Sequence, residues 1–415
     1  MVFVLRILDP FPGIDPTTVL AVLSSHKQNS PRRAGCDGLW EAMTSTDSFE
    51  IFLVAPPGLE PVLAEEARAA GFSTPTASPG GVTTRGGWDE VWRANLTLRG
   101  ATRVLVRLGS FRAFHLAQLD KRARKFPWGD FLRKDMPVRV EAVCKRSKIY
   151  HHKAAAERVE KAIALELGAT ISKEAALVLK VRIDDNLVTI SLDTSGESLH
   201  KRGYKTATGK APMRETLAAL FLKAAGYDGQ DPVLDPMCGS GTFVIEAAEM
   251  AVGLLPGRAR RFAFESLASF DPDAFAAMKA TTGVEVPSDR PRFFGSDRNA
   301  GAIANSQQNA EAAGIASLTQ FTEGSISDLQ RPDAPAGLVI VNPPYGGRIG
   351  NKKLLFALYG TLGKVLLERF SGWRVGIITS DGGLAKATGL PFLPPGPPID
   401  HGGTKVKLYQ TAKLP

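Results

Sequence analysis

Apolar and polar positions follow two rhythms along this chain, and the change between them falls near residues 198 to 205. Before it, several short stretches alternate the two classes residue by residue. "FEIFLVAP" (49 to 56), "GVTTRG" (81 to 86), "RVLVRLGSFRA" (103 to 113) and "MPVRVEAVCK" (136 to 145) predict strands with one buried face. Between them, "GLEPVLAEEARAAGF", "WDEVWRANLTLRGA" and "KAAAERVEKAIALELGA" carry apolar residues at helical spacing, the last with Ala156, Val159, Ile163 and Leu167 on one face. "LDKRARKFPWGDFL" predicts a basic helix or turn. "ALVLKVRIDDNLVTISLDTSG" predicts a hairpin that turns at Asp185 and Asn186. This half is expected to build small α+β units on antiparallel sheets.

After the change, "PVLDPM", "RFFGSD", "LTQFTEGS", "GLVIVNPP" and "WRVGIITSD" are short apolar runs separated by helical patterns. Repeated strand–helix alternation predicts an α/β fold with a doubly wound, mostly parallel sheet and a ligand at the carboxyl ends of its strands. Residues 1 to 46 fit neither rhythm. Pro10, Pro12, Pro16 and Pro31 and the polar run "SSHKQNSPRRAG" break any period, so this stretch is expected to be a disordered extension.

Composition narrows the partners. The 415 residues carry a formal net charge of +9. Much of it crowds one segment, where Lys121, Arg122, Arg124, Lys125, Lys145, Arg146 and Lys148 are interleaved with Phe126, Trp128, Phe131 and Tyr150. Cations that neutralise phosphates beside aromatics that stack on unpaired bases point to a nucleic acid, the alternative being core aromatics beside solvated charges. No apolar run is long enough to cross a bilayer, and no secretory leader is recognisable, which argues against a membrane partner. The 3 cysteines are scattered, and the 6 histidines include no H-E-x-x-H. A disulfide framework and a metal site are therefore not expected, and the cytoplasm is the expected compartment.

Two strand ends carry the candidate chemistry. In "VLDPMCGSGTFVIEAAEMA" (233 to 251) a strand ends at Asp235, Gly239 to Gly241 form a tight turn, and Thr242 opens a helix. Glycines admit a close ligand, and the helix start offers unpaired N–H groups. The pattern is neither G-x-G-x-x-G nor G-x-x-x-x-G-K-[ST], so dinucleotide and nucleoside triphosphate binding are disfavoured. Asp297 ends the next strand, where an acidic residue accepts from ribose hydroxyls in other nucleoside-binding α/β folds. In "LVIVNPPYGGRIG" (338 to 350) a buried strand ends in Asn342, Pro343, Pro344 and Tyr345. An amide oxygen and a rigid backbone carbonyl are acceptors for the two N–H groups of an exocyclic amine, and the ring is a stacking face for an extruded base. The same region holds no cysteine to act as the nucleophile of a cytosine C5 enzyme.

In their order, "DPMCGSGTFVIEAA", "GSDRN" and "NPPYGGRIG" resemble the class I S-adenosylmethionine-dependent methyltransferases that act on exocyclic or amide nitrogens. "HKRGYKTATGKAPMRETLAA" (200 to 219) and the basic α+β half narrow the resemblance to the THUMP-containing RNA methyltransferases, most similar to those that make N2-methylguanosine in ribosomal or transfer RNA. The resemblance implies a ferredoxin-like unit over 47 to 111, a THUMP RNA-binding unit over 112 to 197 and a Rossmann-like methyltransferase unit from 198 to 415. It implies that Asp235, Pro236 and the turn of Cys238, Gly239, Ser240, Gly241 and Thr242 hold the methionine part of S-adenosylmethionine. Asp297 would hold its ribose, and Ser325 and Ile326 its adenine through their backbone. Asp328 lies at or just beyond that edge. Within this resemblance the 23S ribosomal RNA is favoured over transfer RNA. Adenine-N6 methylation of DNA or RNA, protein glutamine methylation and a non-catalytic RNA-binding role remain as alternatives.

Overall fold

The computed structural model describes residues 48–205, 213–280, 292–345 and 352–415; the N-terminal extension expected from the sequence lies outside them. The first half comprises β1 (Phe49–Val54), α1 (Glu60–Ala69), β2 (Ser73–Ser78), β3 (Gly81–Gly86), α2 (Trp88–Thr97), β4 (Arg103–Arg112), α3 (Leu116–Arg124), β5 (Val138–Lys145), α4 (His152–Glu166), β6 (Leu177–Asp184) and β7 (Leu187–Asp193). β1 buries every second residue, as the alternation in its sequence requires. The turn between β6 and β7 has positive φ at both Asp185 and Asn186, the I′ geometry that suits the twist of a hairpin.

The expectation of several antiparallel sheets is corrected. One seven-stranded sheet runs β2-β3-β1-β4-β7-β6-β5. β4 is the shared strand: Leu105, Val106 and Arg107 pair with β1 on one side and β7 on the other. β5 and β6 are parallel, because α4 carries the chain back across the sheet between them.

The second half comprises α5 (Glu215–Ala224), β8 (Val233–Asp235), α6 (Thr242–Ala251), α7 (Pro272–Ala280), β9 (Phe293–Asp297), α8 (Ala300–Ala313), β10 (Thr319–Glu323), β11 (Leu338–Val341), α9 (Lys352–Arg369), β12 (Arg374–Thr379), α10 (Gly382–Ala387), β13 (Ile399–His401) and β14 (Thr404–Gln410). Its sheet runs β10-β9-β8-β11-β12-β14-β13, with the first five strands parallel and the last two antiparallel. Leu338 to Val341 are all buried, as expected of a strand covered on both faces. The winding reverses between β8 and β11, which brings the ends of those two strands to the crevice where such sheets bind ligands.

The halves meet along α6. The Arg99 guanidinium, from the α2–β4 turn, donates to Glu246 at 3.0 Å and Glu249 at 3.1 Å. Arg202, in the connector, donates to Glu246 at 3.0 Å and to the Arg99 carbonyl at 2.8 Å, while Arg258 pairs with Glu249. Glu246, Glu249, Arg99 and Arg202 are all buried. Charges removed from water in this way persist only when each finds a partner. Trp92 of α2 adds an apolar contact, packing its ring against Phe264, Phe270 and Phe275.

Candidate functional site

At the end of β8 the chain must turn sharply into α6. Gly239 and Gly241 both take positive φ, and Gly241 is the N-cap of the helix. A Cβ on Gly241 would come within 3.2 Å of Ser306. α8 fastens the turn from behind: the Ser306 hydroxyl donates to the Gly239 carbonyl at 2.8 Å, and the Asn309 amide donates to the Ser240 carbonyl at 3.1 Å. Neither residue was singled out from the sequence, since their partners lie more than sixty positions away. Cys238 is buried, with its sulfur 3.8 Å from the Ser306 hydroxyl. The Thr242 hydroxyl accepts from Lys205 at 2.9 Å.

Two carboxylates stand beside this turn. Asp297 is half-buried and accepts the Gly239 N–H at 3.1 Å and the Asn299 N–H at 2.9 Å. Asp235 is buried and accepts the Met237 N–H at 3.0 Å. Burial pushes the Asp235 carboxyl up to about 8; the Met237 N–H pulls it down and neighbouring Asp297 pushes it further up. A buried carboxyl with no cation acting on it among the described residues suits a ligand that brings its own ammonium group. Against an ordinary value of 3.8, the folded state holds this proton to higher pH than the unfolded chain, so its contribution to stability is present below about pH 4 and is lost as pH rises toward about 8. Asp235→Asn should therefore gain stability relative to the parent between those values, read by urea unfolding at several pH values. It should also weaken cofactor binding by about tenfold, read by calorimetry.

Pro236, Met237, Asp297, Gly324 and Ile326 line one side of a cleft of about 1410 Å³. Ser325 is exposed, and its hydroxyl donates to Asp328 at 2.7 Å, so that side chain is already engaged. Asn342, Pro343, Pro344 and Tyr345 line the same cleft, bringing the two strand-end motifs together; residues 346 to 350 of the second motif lie outside the described residues. The Asn342 amide oxygen is buried and has no hydrogen-bond donor among the described residues. Such an atom costs free energy until a ligand supplies the donor. The Tyr359 hydroxyl from α9 lies 3.4 Å from the Pro344 carbonyl, to which it donates, and 3.2 Å from the Thr379 hydroxyl, bracing the proline elbow.

The cleft also holds residues that the sequence reading left without a role. The turn of the C-terminal hairpin brings His401, Gly402 and Thr404 to it, and the connector brings His200, Lys201 and Lys205. The connector segment enters the sequence reading only as a mark of resemblance. Burial, then Arg214, Arg202 and Lys201 nearby, push the His200 imidazole down to about 4, so it is neutral at pH 7. Arg214 and Arg298 stand exposed at the same cleft.

The basic segment is sorted by burial. Lys121, Arg122 and Arg124 occupy the last turn of α3, with Lys125 as its C-cap. Lys145 ends β5, Arg146 and Lys148 follow it, and all three are exposed, with the Lys148 ammonium 5.6 Å from the centre of the Phe114 ring. Arg124 is paired with Asp120 at 3.0 Å, and Arg146 with Asp184 at 2.9 Å. The stacking role expected for Phe126 and Trp128 is corrected: both are buried with ring centres 4.5 Å apart, and the Trp128 indole donates to the Ala123 carbonyl. Their place under the end of α3 is that of core. Tyr150, 72 % exposed, remains available to a base.

Residues 202–390 match the RMKL-like methyltransferase domain (UPF0020), and residues 50–105 match the RlmL ferredoxin-like domain. A Synechocystis protein provisionally named RNA methyltransferase slr0064 is 30% identical over 82% of this chain and 90% of its own length. The ribosomal RNA large subunit methyltransferase K/L of Syntrophotalea carbinolica is 34% identical over 82% of this chain and 50% of its own. The chain thus spans about half the length of the K/L relatives it matches. The crystal structure of SMU.472, provisionally described as a methyltransferase and complexed with SAH, aligns over 89% of this chain and 100% of its own, with a TM-score of 0.80 and 26% identity. The chain belongs to the RlmL-like (UPF0020) family of class I RNA methyltransferases, with a ferredoxin-like domain ahead of the methyltransferase sheet.

Proposed function

We propose that the protein transfers a methyl group from S-adenosylmethionine to the N2 amine of one guanosine in large-subunit (23S) ribosomal RNA. The observation that carries the reading is the buried amide oxygen of Asn342, without a donor among the described residues, in the cleft at the switch point of the sheet. The donor set around the glycine turn fits the cofactor. Asp235 would take the methionine ammonium, and the turn from Cys238 to Thr242, with Pro236, would enclose the methionine part. Asp297 would take the ribose hydroxyls, and the backbone of Ser325 and Ile326 the adenine edge. When bound, this cofactor supplies an electrophilic methyl group on a sulfonium.

The remaining work falls to the chain itself. An exocyclic guanine amine is a poor nucleophile, because its lone pair is delocalised into the ring. Accepting one N–H at the Asn342 oxygen and the other at the Pro343 carbonyl favours a pyramidal nitrogen and stabilises the positive charge that develops on it. Pro343 and Pro344 fix that carbonyl before the base arrives, so little reorganisation is needed during the reaction. Tyr345 offers the face on which the extruded base stacks. The amine proton departs after the nitrogen has become cationic, so no strong base is needed. Residues 112 to 197 would form the THUMP unit that docks structured RNA, using the cations at the end of α3 and after β5 for phosphates.

The choice of ribosomal RNA follows the names of the K/L relatives, and the choice of guanine follows the family resemblance, since an N-P-P-Y tetrad serves adenine amines equally well. Nucleoside mass spectrometry on separated ribosomal and transfer RNA from a deletion strain tests both. Loss of one N2-methylguanosine from the large ribosomal RNA is expected, and loss of N6-methyladenosine alone would overturn the reading.

A further inference from the structure

Tyr345 does not stand alone at the end of β11. Its hydroxyl lies 2.8 Å from Nδ1 of His401, a residue 56 positions later in the chain. The placement of His401 follows from local geometry. β13 and β14 pair Ile399 with Val406, Asp400 with Lys405 and His401 with Thr404, which leaves only Gly402 and Gly403 for the turn. Both glycines have positive φ, as a two-residue I′ turn demands. The Asp400 carboxylate accepts the Gly403 N–H at 3.2 Å and pairs with Lys405 at 3.4 Å, which locks the turn. β14 is in turn paired with β12, from Gly376 opposite Gln410 to Thr379 opposite Lys407. The histidine therefore ends a braced hairpin that reaches the cleft from the antiparallel edge of the sheet.

We propose that His401 is a positioning residue that fixes the plane of the Tyr345 ring, so that the C-terminal hairpin forms part of the wall against which the extruded base stacks. The inference rests on the reading of the site as an RNA-base methyltransferase. Tyr345 has two rotatable side-chain torsions, and a stacking face is useful only when its plane is set before the base enters. In the tautomer that carries its proton on Nε2, His401 accepts the phenol proton at Nδ1. A phenylalanine at 345 would keep the face but lose the tether, and an asparagine at 401 would keep an acceptor close to the position of Nδ1.

The test compares four proteins with the parent in steady-state methylation of deproteinised large-subunit RNA from a deletion strain. His401→Ala is expected to lower kcat by about tenfold while changing KM for RNA and for S-adenosylmethionine by less than about twofold, the loss of one hydrogen bond in the oriented complex. His401→Asn should recover to within about threefold of the parent. Tyr345→Phe should match His401→Ala, and the double variant should be no worse than either single one, because both changes remove the same bond. Multiplying losses in the double variant, an asparagine variant as poor as the alanine one, or a change in KM without a change in kcat would each overturn the tether. A parent enzyme that methylates no RNA would overturn the functional reading and the tether with it. An active parent whose variants fail the pattern would overturn the tether alone.

Discussion

Asn342→Ala is expected to lower the methylation rate by about a thousandfold while cofactor affinity stays within about twofold of the parent. Removing one preorganised group that interacts with charge developing in a transition state costs on the order of 10²–10³ in kcat. The upper end applies here because the Asn342 oxygen is buried, and the other side-chain oxygen of the tetrad, the Tyr345 hydroxyl, lies 2.8 Å from His401. Its companion acceptor is a backbone carbonyl, which mutation of that side chain leaves in place. The separation of rate from affinity follows from the fold: Asn342 follows β11, whereas the glycine turn proposed to hold the cofactor begins at the end of the neighbouring strand β8. Single-turnover methylation and calorimetric titration of the cofactor read the two quantities independently. Equal loss of both would mean that Asn342 holds the cofactor and not the amine.

Glu246→Ala is expected to destabilise the fold by about 3–5 kcal/mol, the cost of removing one member of a buried ionic cluster and leaving its partners charged. Glu246 is fully buried and accepts from both Arg99 and Arg202, and these two guanidiniums hold its carboxyl below the usual range against the opposing effect of burial. Without it, among the described residues Glu249 is left to face Arg99 and Arg258, and Arg202 keeps the carbonyls of Leu199 and Arg99. Urea unfolding monitored by tryptophan fluorescence measures the loss. Glu246→Gln should fall between the parent and the alanine variant, since it keeps acceptor geometry but not charge. An alanine variant that loses less than about 1 kcal/mol would show that water reaches the cluster and solvates the arginines.

Much of this architecture was legible in the order of residues. The alternation in β1 and β4 and the apolar run of β11 have the burial their patterns require, and Asp185-Asn186 turns as its composition demands. β2 escaped notice because "STPTAS" is polar and buries only one residue fully, as an edge strand can. The single N-terminal sheet escaped because periodicity reports a strand's faces and not its neighbours: nothing within β4 says that it will pair with both β1 and β7. The burial of Phe126 and Trp128 was hidden for a related reason. Cations interleaved with aromatics look alike whether the rings lie under a helix or over its surface. At the site, the glycine turn and the proline elbow were visible because their backbones need particular residue types. His401, Ser306 and Tyr359 were not, because each acts through a partner that only the folded chain brings near.

If the protein acts on RNA as proposed, the buried cluster along α6 bears on how a nucleotide is chosen. One helix carries the glycine turn at its first residue and binds Arg99 of the N-terminal half along its flank. A span bolted in this way works as a caliper. If the first half grips a feature of folded RNA, the nucleotide that reaches Asn342 is the one standing at the matching distance from that feature, whatever letters lie between them. Selection would then be made by length as much as by base, and an inserted base pair in the RNA would silence a target whose local sequence is unchanged.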